Sequence, residues 1–212
     1  MKSSIFLVFS ILFCRCALNA QMNQIKRVTD VTFGIKAGTN ISNVYDTNGE
    51  NFVATGKFGF VGGGFVTVPF GEYFAVQPEL LFSQKGFSGI GTLLGSNYNY
   101  EKTINFLDIP ILFTFSPIKY ISVVFGPQFS FLMSYKNSFN NTFISSLQIQ
   151  QFNNENIRKN IFGLTTGADF NSTYNTVIGV RASWDLQQNN TVETATPRYK
   201  NVWYQITAGY RF

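Results

Sequence analysis

The sequence predicts an all-β fold, an eight-stranded antiparallel up-and-down transmembrane β-barrel with short periplasmic turns and long extracellular loops. Three observations predict it. Eight segments alternate residue by residue between apolar and polar, the signature of a strand with two unlike faces. The links between them are alternately short and long. Charged residues make up only 13% of the chain while aromatics reach 17%, against roughly 25% charge in an ordinary soluble domain. A membrane gives such aromatics somewhere to go.

The first twenty residues are set aside as a targeting segment. Lys2 supplies a positive start, residues 5–13 are apolar, and Leu18-Asn19-Ala20 precedes the expected cut at Gln21. The apolar run is shorter than the roughly 20 residues of a spanning helix. Both cysteines, Cys14 and Cys16, fall inside this segment. Phe13 and Arg15 stand where a lipidated cysteine needs small residues, so a lipid anchor is not expected. Residues 1–20 are thus a cleaved signal peptide, 21–30 a periplasmic lead-in, and 31–212 the barrel. Removal of Lys2 and Arg15 leaves 14 bases against 11 acids, a charge of +3. That is too weak and dispersed for a nucleic-acid surface.

The first segment, 31–40, sets Phe33, Ile35 and Ala37 against Lys36 and Asn40. The second, 57–69, contains Gly62-Gly63-Gly64, which leaves its faces ambiguous. No Lys-Ser/Thr follows, so the run is not a phosphate loop, and close packing or a bulge is expected. The third, 73–85, sets Phe74, Val76, Leu80 and Phe82 against Gln77, Glu79, Ser83 and Lys85. The fourth, 98–115, sets Leu107, Ile109, Ile111, Phe113 and Phe115 against Asp108 and Thr114. The fifth, 120–135, opposes Val123, Phe125, Phe129, Phe131 and Met133 to Ser122, Gln128, Ser130 and Ser134. The sixth, 157–170, opposes Phe162, Leu164, Ala168 and Phe170 to Thr165 and Asp169. The seventh, 174–186, opposes Ile178, Val180, Ala182 and Trp184 to Arg181, Ser183 and Asp185. The eighth, 198–212, opposes Val202, Tyr204, Ile206, Ala208, Tyr210 and Phe212 to Gln205, Thr207 and Arg211.

Alternation alone fits a soluble, lipocalin-like barrel as well as a membrane barrel with its faces exchanged. The links separate them. Short links (70–72, 116–119, 171–173) follow the even segments, and long ones (41–56, 86–97, 136–156, 187–197) follow the odd ones. This is the turn-and-loop asymmetry of outer-membrane barrels, and eight strands return both termini to the periplasm. Tyr73, Tyr120 and Tyr174 at one end, with Tyr98, Tyr100, Tyr135 and Tyr199 at the other, fit two aromatic girdles. Pro78, Pro110 and Pro127 fall within strands, where bulges are expected to absorb them.

Two segments, Gln77-Pro78-Glu79-Leu80-Leu81-Phe82-Ser83-Gln84-Lys85-Gly86 and Phe106-Leu107-Asp108-Ile109-Pro110-Ile111-Leu112, resemble recurrent stretches of the PorT-like outer-membrane β-barrel proteins of Bacteroidetes. Phe33-Gly34-Ile35-Lys36-Ala37-Gly38-Thr39-Asn40 is similar to that family's first strand. The ending, with Tyr204, Tyr210 and terminal Phe212 on one face, resembles the C-terminal signal read by the barrel assembly machinery. The resemblance implies an eight-stranded outer-membrane barrel and no defined activity.

The chain has no histidine, and its expected mature form no cysteine. Ser-His and Cys-His nucleophile systems are therefore excluded, and neither a catalytic residue nor a cofactor is expected. Glu79 and Asp108 are the remaining candidate acid pair, but each has a plausible basic partner. Lys36, Glu79, Asp108 and Arg181 lie at similar heights above the periplasmic end and are expected to pair as one charged layer. Eight strands leave room only for side chains, so that layer reads as a plug rather than an ion-selective constriction. The expected role is a non-enzymatic anchor whose wall contacts outer-membrane lipid and whose surface loops contact an extracellular ligand or protein. A narrow solute channel and a PorT-like accessory factor in protein secretion are the alternatives.

Overall fold

The computed structural model describes residues 30–48, 53–93, 96–140, 157–172, 175–190 and 198–212. The proposed signal segment lies outside them. Eight strands follow in order: β1 (Thr32–Asn48), β2 (Val53–Pro69), β3 (Phe74–Leu93), β4 (Ser96–Ile118), β5 (Ile121–Asn140), β6 (Asn160–Asn171), β7 (Thr176–Asp185) and β8 (Arg198–Arg211). Each pairs antiparallel with the next, and β8 pairs back onto β1, closing the barrel. Closure leaves no open sheet edge along the paired rows, the condition for placing a sheet in hydrocarbon.

The faces are exchanged relative to a soluble barrel. Phe33, Ile35, Phe113, Phe125, Phe129, Ile178, Val180, Tyr204 and Ile206 stand on the outer surface, while Lys36, Gln77, Glu79, Asp108, Gln128, Asp169, Arg181 and Gln205 are buried within. In water the outer surface would expose a continuous apolar patch around the molecule. On β3 the outward residues Phe74, Val76, Pro78, Leu80 and Phe82 precede the first outward polar group, Gln84. That run covers about 26 Å of strand at ~3.3 Å per residue. A tilt of 35–45° brings it to about 20 Å, close to the ~25 Å lipid-facing band of such barrels.

The tight turns lie at one end. β4 and β5 are joined by Lys119 and Tyr120 alone, with Ile118 opposite Ile121. The Phe70 N–H donates to the Phe74 carbonyl (3.1 Å) and the Ser172 N–H to the Thr176 carbonyl (2.8 Å). Asn175 there takes φ 62°, a region asparagine tolerates better than most residues.

At the opposite end two expected long loops are mostly strand. β1 continues to Asn48, and β3 and β4 remain paired as far as Leu93 opposite Ser96. Glycine, serine and asparagine made these stretches read as loops. Cross-strand hydrogen bonds hold them extended, and a polar outer face is permitted beyond the apolar band. Of the other two expected long links, 136–156 and 187–197, residues 136–140 continue β5, and 141–156 and 191–197 fall outside the described residues.

The prolines are not absorbed by bulges. Pro78 faces Ile111 and Pro110 faces Gln128 in the same register that holds on either side, and Pro127 faces Leu164 in an unbroken ladder. Each proline forgoes one N–H donor without moving the register. The register shifts elsewhere: β5 carries an extra residue, Met133, between Leu132 opposite Phe106 and Ser134 opposite Asn105. Of the glycine run, Gly63 faces the lumen side opposite Lys36 and packs closely. A Cβ there would collide with the Leu80 carbonyl and lie 2.9 Å from the Leu81 Cα.

Candidate functional site

Polar inward faces from all eight strands meet in a narrow lumen, where an ion without a partner is costly. The charges sort into two groups. Nearer the turn end, the Lys36 ammonium lies 2.5 Å from Glu79 Oε2. Gln77 donates to Glu79 Oε1 (2.8 Å), and the Thr67 hydroxyl donates to Gln77 (3.0 Å). Arg181 binds Asp169 at 2.7 and 2.9 Å through the two carboxylate oxygens, and its Nη2 stands 3.7 Å from Glu79 Oε1. Lys36, Glu79, Arg181 and Asp169 thus form one continuous two-base, two-acid cluster.

Asp108 does not join that cluster, contrary to the sequence expectation. Its carboxylate holds Lys85 at 2.9 and 3.0 Å. β4 extends to Ile118, three residues beyond the expected end at Phe115, so Asp108 lies further from the turn end than a count from Phe115 implies. Strand tilt adds to this. The paired row through Lys36, Gly63, Leu81 and Asp108 runs perpendicular to the strands, not level with the membrane plane.

Lys85 is the best-held cation of this second group. Its Nζ lies 3.6 Å from the Trp203 ring centroid and 4.7 Å from that of Phe106, and donates to the Ser130 hydroxyl (3.2 Å). From Ser130 a hydrogen-bonded chain continues through Gln128 on the same strand to Thr165 on β6 and Ser183 on β7. Nearby, Asp185 Oδ2 accepts from the Asn201 side chain at 2.5 Å.

Above these two groups apolar and aromatic side chains enter the lumen. Ile104, Phe106 and Ile161 form a buried cluster with Leu132 against it, and Phe87 meets Tyr199 edge-on at 5.0 Å. Tyr199 therefore does not belong to a lipid-facing girdle; it is fully buried and shares the inward face of β8 with Trp203. Tyr135 stands opposite buried Ile104, beyond the extra residue Met133, which reverses which side chains face in. Tyr73 and Tyr120 are exposed at the turn end, while Tyr174, Tyr98 and Tyr100 are not among the described side chains.

Sequence reasoning placed Lys85 and Asp169 on the polar faces of their strands but left both out of the charged layer; it assigned Tyr199 to a girdle and did not place Trp203 in the lumen. The signal was present, because each shares an inward parity with a residue it did single out: Lys85 with Glu79, and Trp203 with Gln205. Among the described residues, no group of three or more His, Cys, Asp or Glu could hold a metal ion.

A closed antiparallel barrel with an apolar outer wall and a charged interior is a transmembrane β-barrel. The chain belongs to the outer membrane protein β-barrel domain family, whose match covers residues 19–194. It is similar in structure to Ail, the attachment invasion locus protein of Yersinia pestis, solved with the heparin analogue sucrose octasulfate: TM-score 0.48, 15% identity, 86% of this chain and 99% of that one covered. OprG of Pseudomonas aeruginosa gives 0.49 at 13% identity over 89% and 99% of the chains. Neisserial surface protein A gives 0.49 at 10% over 86% and 99%. No curated protein shows significant sequence similarity to the chain.

Proposed function

We propose that this protein is a non-enzymatic, non-conducting outer-membrane anchor that presents its loop end outside the cell for contact with a partner. The observation that carries the reading is the filling of the lumen. The Lys36–Glu79–Arg181–Asp169 cluster, the Lys85–Asp108 pair with its aromatic walls, and the Phe87–Tyr199 contact occupy successive levels of one narrow interior. Paired charges there serve as struts, and a barrel wall braced this way suits a scaffold for whatever the loops bind. The absence of histidine supports a non-catalytic role.

In this reading residues 1–20 direct export, both termini lie in the periplasm, and the outward Tyr204, Tyr210 and Phe212 form the signal for the assembly machinery. Tyr210 and Phe212 already lie against each other at 5.4 Å on the outer face. The finer kinship with PorT-like barrels rests on residues 77–86 and 106–112.

Planar-bilayer recording on the refolded protein tests the reading. A plugged barrel shows no steady unitary conductance. A stable open level that changes when Glu79 is replaced by Gln establishes a narrow channel instead.

A further inference from the structure

The loop end of the lumen holds a cation that the struts do not use. Lys102, on the inward face of β4, is 97% buried, yet it has no hydrogen bond or ion pair with any described residue. Its Nζ is near rings only, 5.6 Å from the centroid of Tyr199 and 5.9 Å from that of Tyr135. The Tyr199 hydroxyl, also buried, has no hydrogen-bond partner. Every other buried lysine among the described residues, Lys36 and Lys85, holds a carboxylate within 3.0 Å. A largely buried ammonium without an anion, its Nζ keeping a little accessible surface, and a fully buried hydroxyl without an acceptor are each unfavourable, and the faces of two rings offset only part of that cost.

We infer that Lys102 and Tyr199 form a binding site for an oxyanion, a sulfate or phosphate group carried on a small ligand and admitted from the loop end between β4, β5 and β8. Both groups are hydrogen-bond donors, and neither needs to lose a partner to receive one. The oxyanion supplies the acceptors both lack. Phe87, opposite Lys102 on β3 and edge-on to Tyr199, fixes the tyrosine ring, so the hydroxyl is held in place before binding. Tyr135, partly exposed at the mouth, offers an apolar face to the group that bears the anion. A carboxylate is a weaker fit, having two oxygens against three or four for the donors to share. The site lies beyond the Lys85–Asp108 level, so it does not rest on the lumen being closed to ions.

The test uses the full barrel refolded in detergent, labelled with 15N at the lysine side chains. Inorganic phosphate, inorganic sulfate, glucose 6-phosphate and glucose 6-sulfate are titrated in turn, with glucose as the neutral control. The Lys102 Nζ resonance is expected to shift saturably with the sugar esters and not with glucose. Lys102→Met should weaken binding at least tenfold, Tyr199→Phe severalfold, and Lys119→Met at the turn end not at all. Tighter binding of the esters than of the inorganic ions assigns the site to an esterified ligand. Equal binding assigns it to the free ion, and both results uphold the oxyanion site. Heat-modifiable migration shows which variants fold. If Lys102→Met does not, the wild-type Nζ titration alone decides. The inference is overturned if that resonance fails to shift with any oxyanion. It is also overturned if a folded Lys102→Met binds as wild type, or if Lys102 proves to be paired with an acidic side chain of this chain.

Discussion

Replacing Arg181 by leucine isolates the energetics of the turn-end cluster. The guanidinium holds Asp169 at 2.7 Å and stands 3.7 Å from Glu79, and all three groups are almost fully buried. Glu79 keeps Lys36 at 2.5 Å after the change, whereas Asp169 loses its ion pair and retains only the more distant charges of Lys36 and Arg211. Stranding one buried carboxylate typically costs about 3–5 kcal/mol. Replacing Asp169 by leucine strands Arg181 less completely, because Glu79 remains beside it, so a cost of about 2–4 kcal/mol is expected. Removing both leaves no new orphan, and the double variant should be more stable than the sum of the single losses implies, by about 1–3 kcal/mol. The companion cycle between Arg181 and Asp108 should be close to additive, since Asp108 is held by Lys85 in the other group. Urea unfolding in lipid vesicles, followed by fluorescence of Trp184 and Trp203, measures each corner of both cycles. An additive Arg181–Asp169 cycle, or strong coupling between Arg181 and Asp108, refutes the two-group account of the lumen.

Three further outcomes follow from the same geometry. Arg in place of Phe113 or Val180, both outward and several residues above the turn end, should destabilise the inserted barrel by about 2–4 kcal/mol, read from the same urea titration. No loss at either position would remove them from the lipid face. Deleting Phe212 should reduce the heat-modifiable, membrane-inserted fraction in cells and leave periplasmic aggregate, and wild-type levels would end its role as an assembly signal. Lys85→Met removes the ion pair but keeps a flexible chain between Trp203 and Phe106. It should cost about 3–5 kcal/mol through the stranded Asp108 and be partly rescued by adding Asp108→Asn; absence of rescue would mean Lys85 acts through packing alone.

The sequence by itself determined the fold class, because the relevant signal is local. Side chains two residues apart share a face, so alternation identified eight strands and sorted nearly every residue of Gln77–Phe82 and Leu107–Phe115 onto its side. The asymmetry of links fixed the order in which strands turn back. Only the tertiary structure decided where strands end and which inward groups meet. The β3–β4 hairpin extends to Leu93 and Ser96 because its neighbour supplies hydrogen bonds that composition cannot reveal. Met133 reverses the facing of everything after it in β5, which no period-2 reading anticipates. Asp108 meets Lys85 rather than Arg181 because strand tilt and the length of β4 set heights in the lumen. Those are properties of the closed sheet, not of any one strand. Face is a matter of parity along the chain, while contact across a barrel depends on how all eight strands are staggered at once.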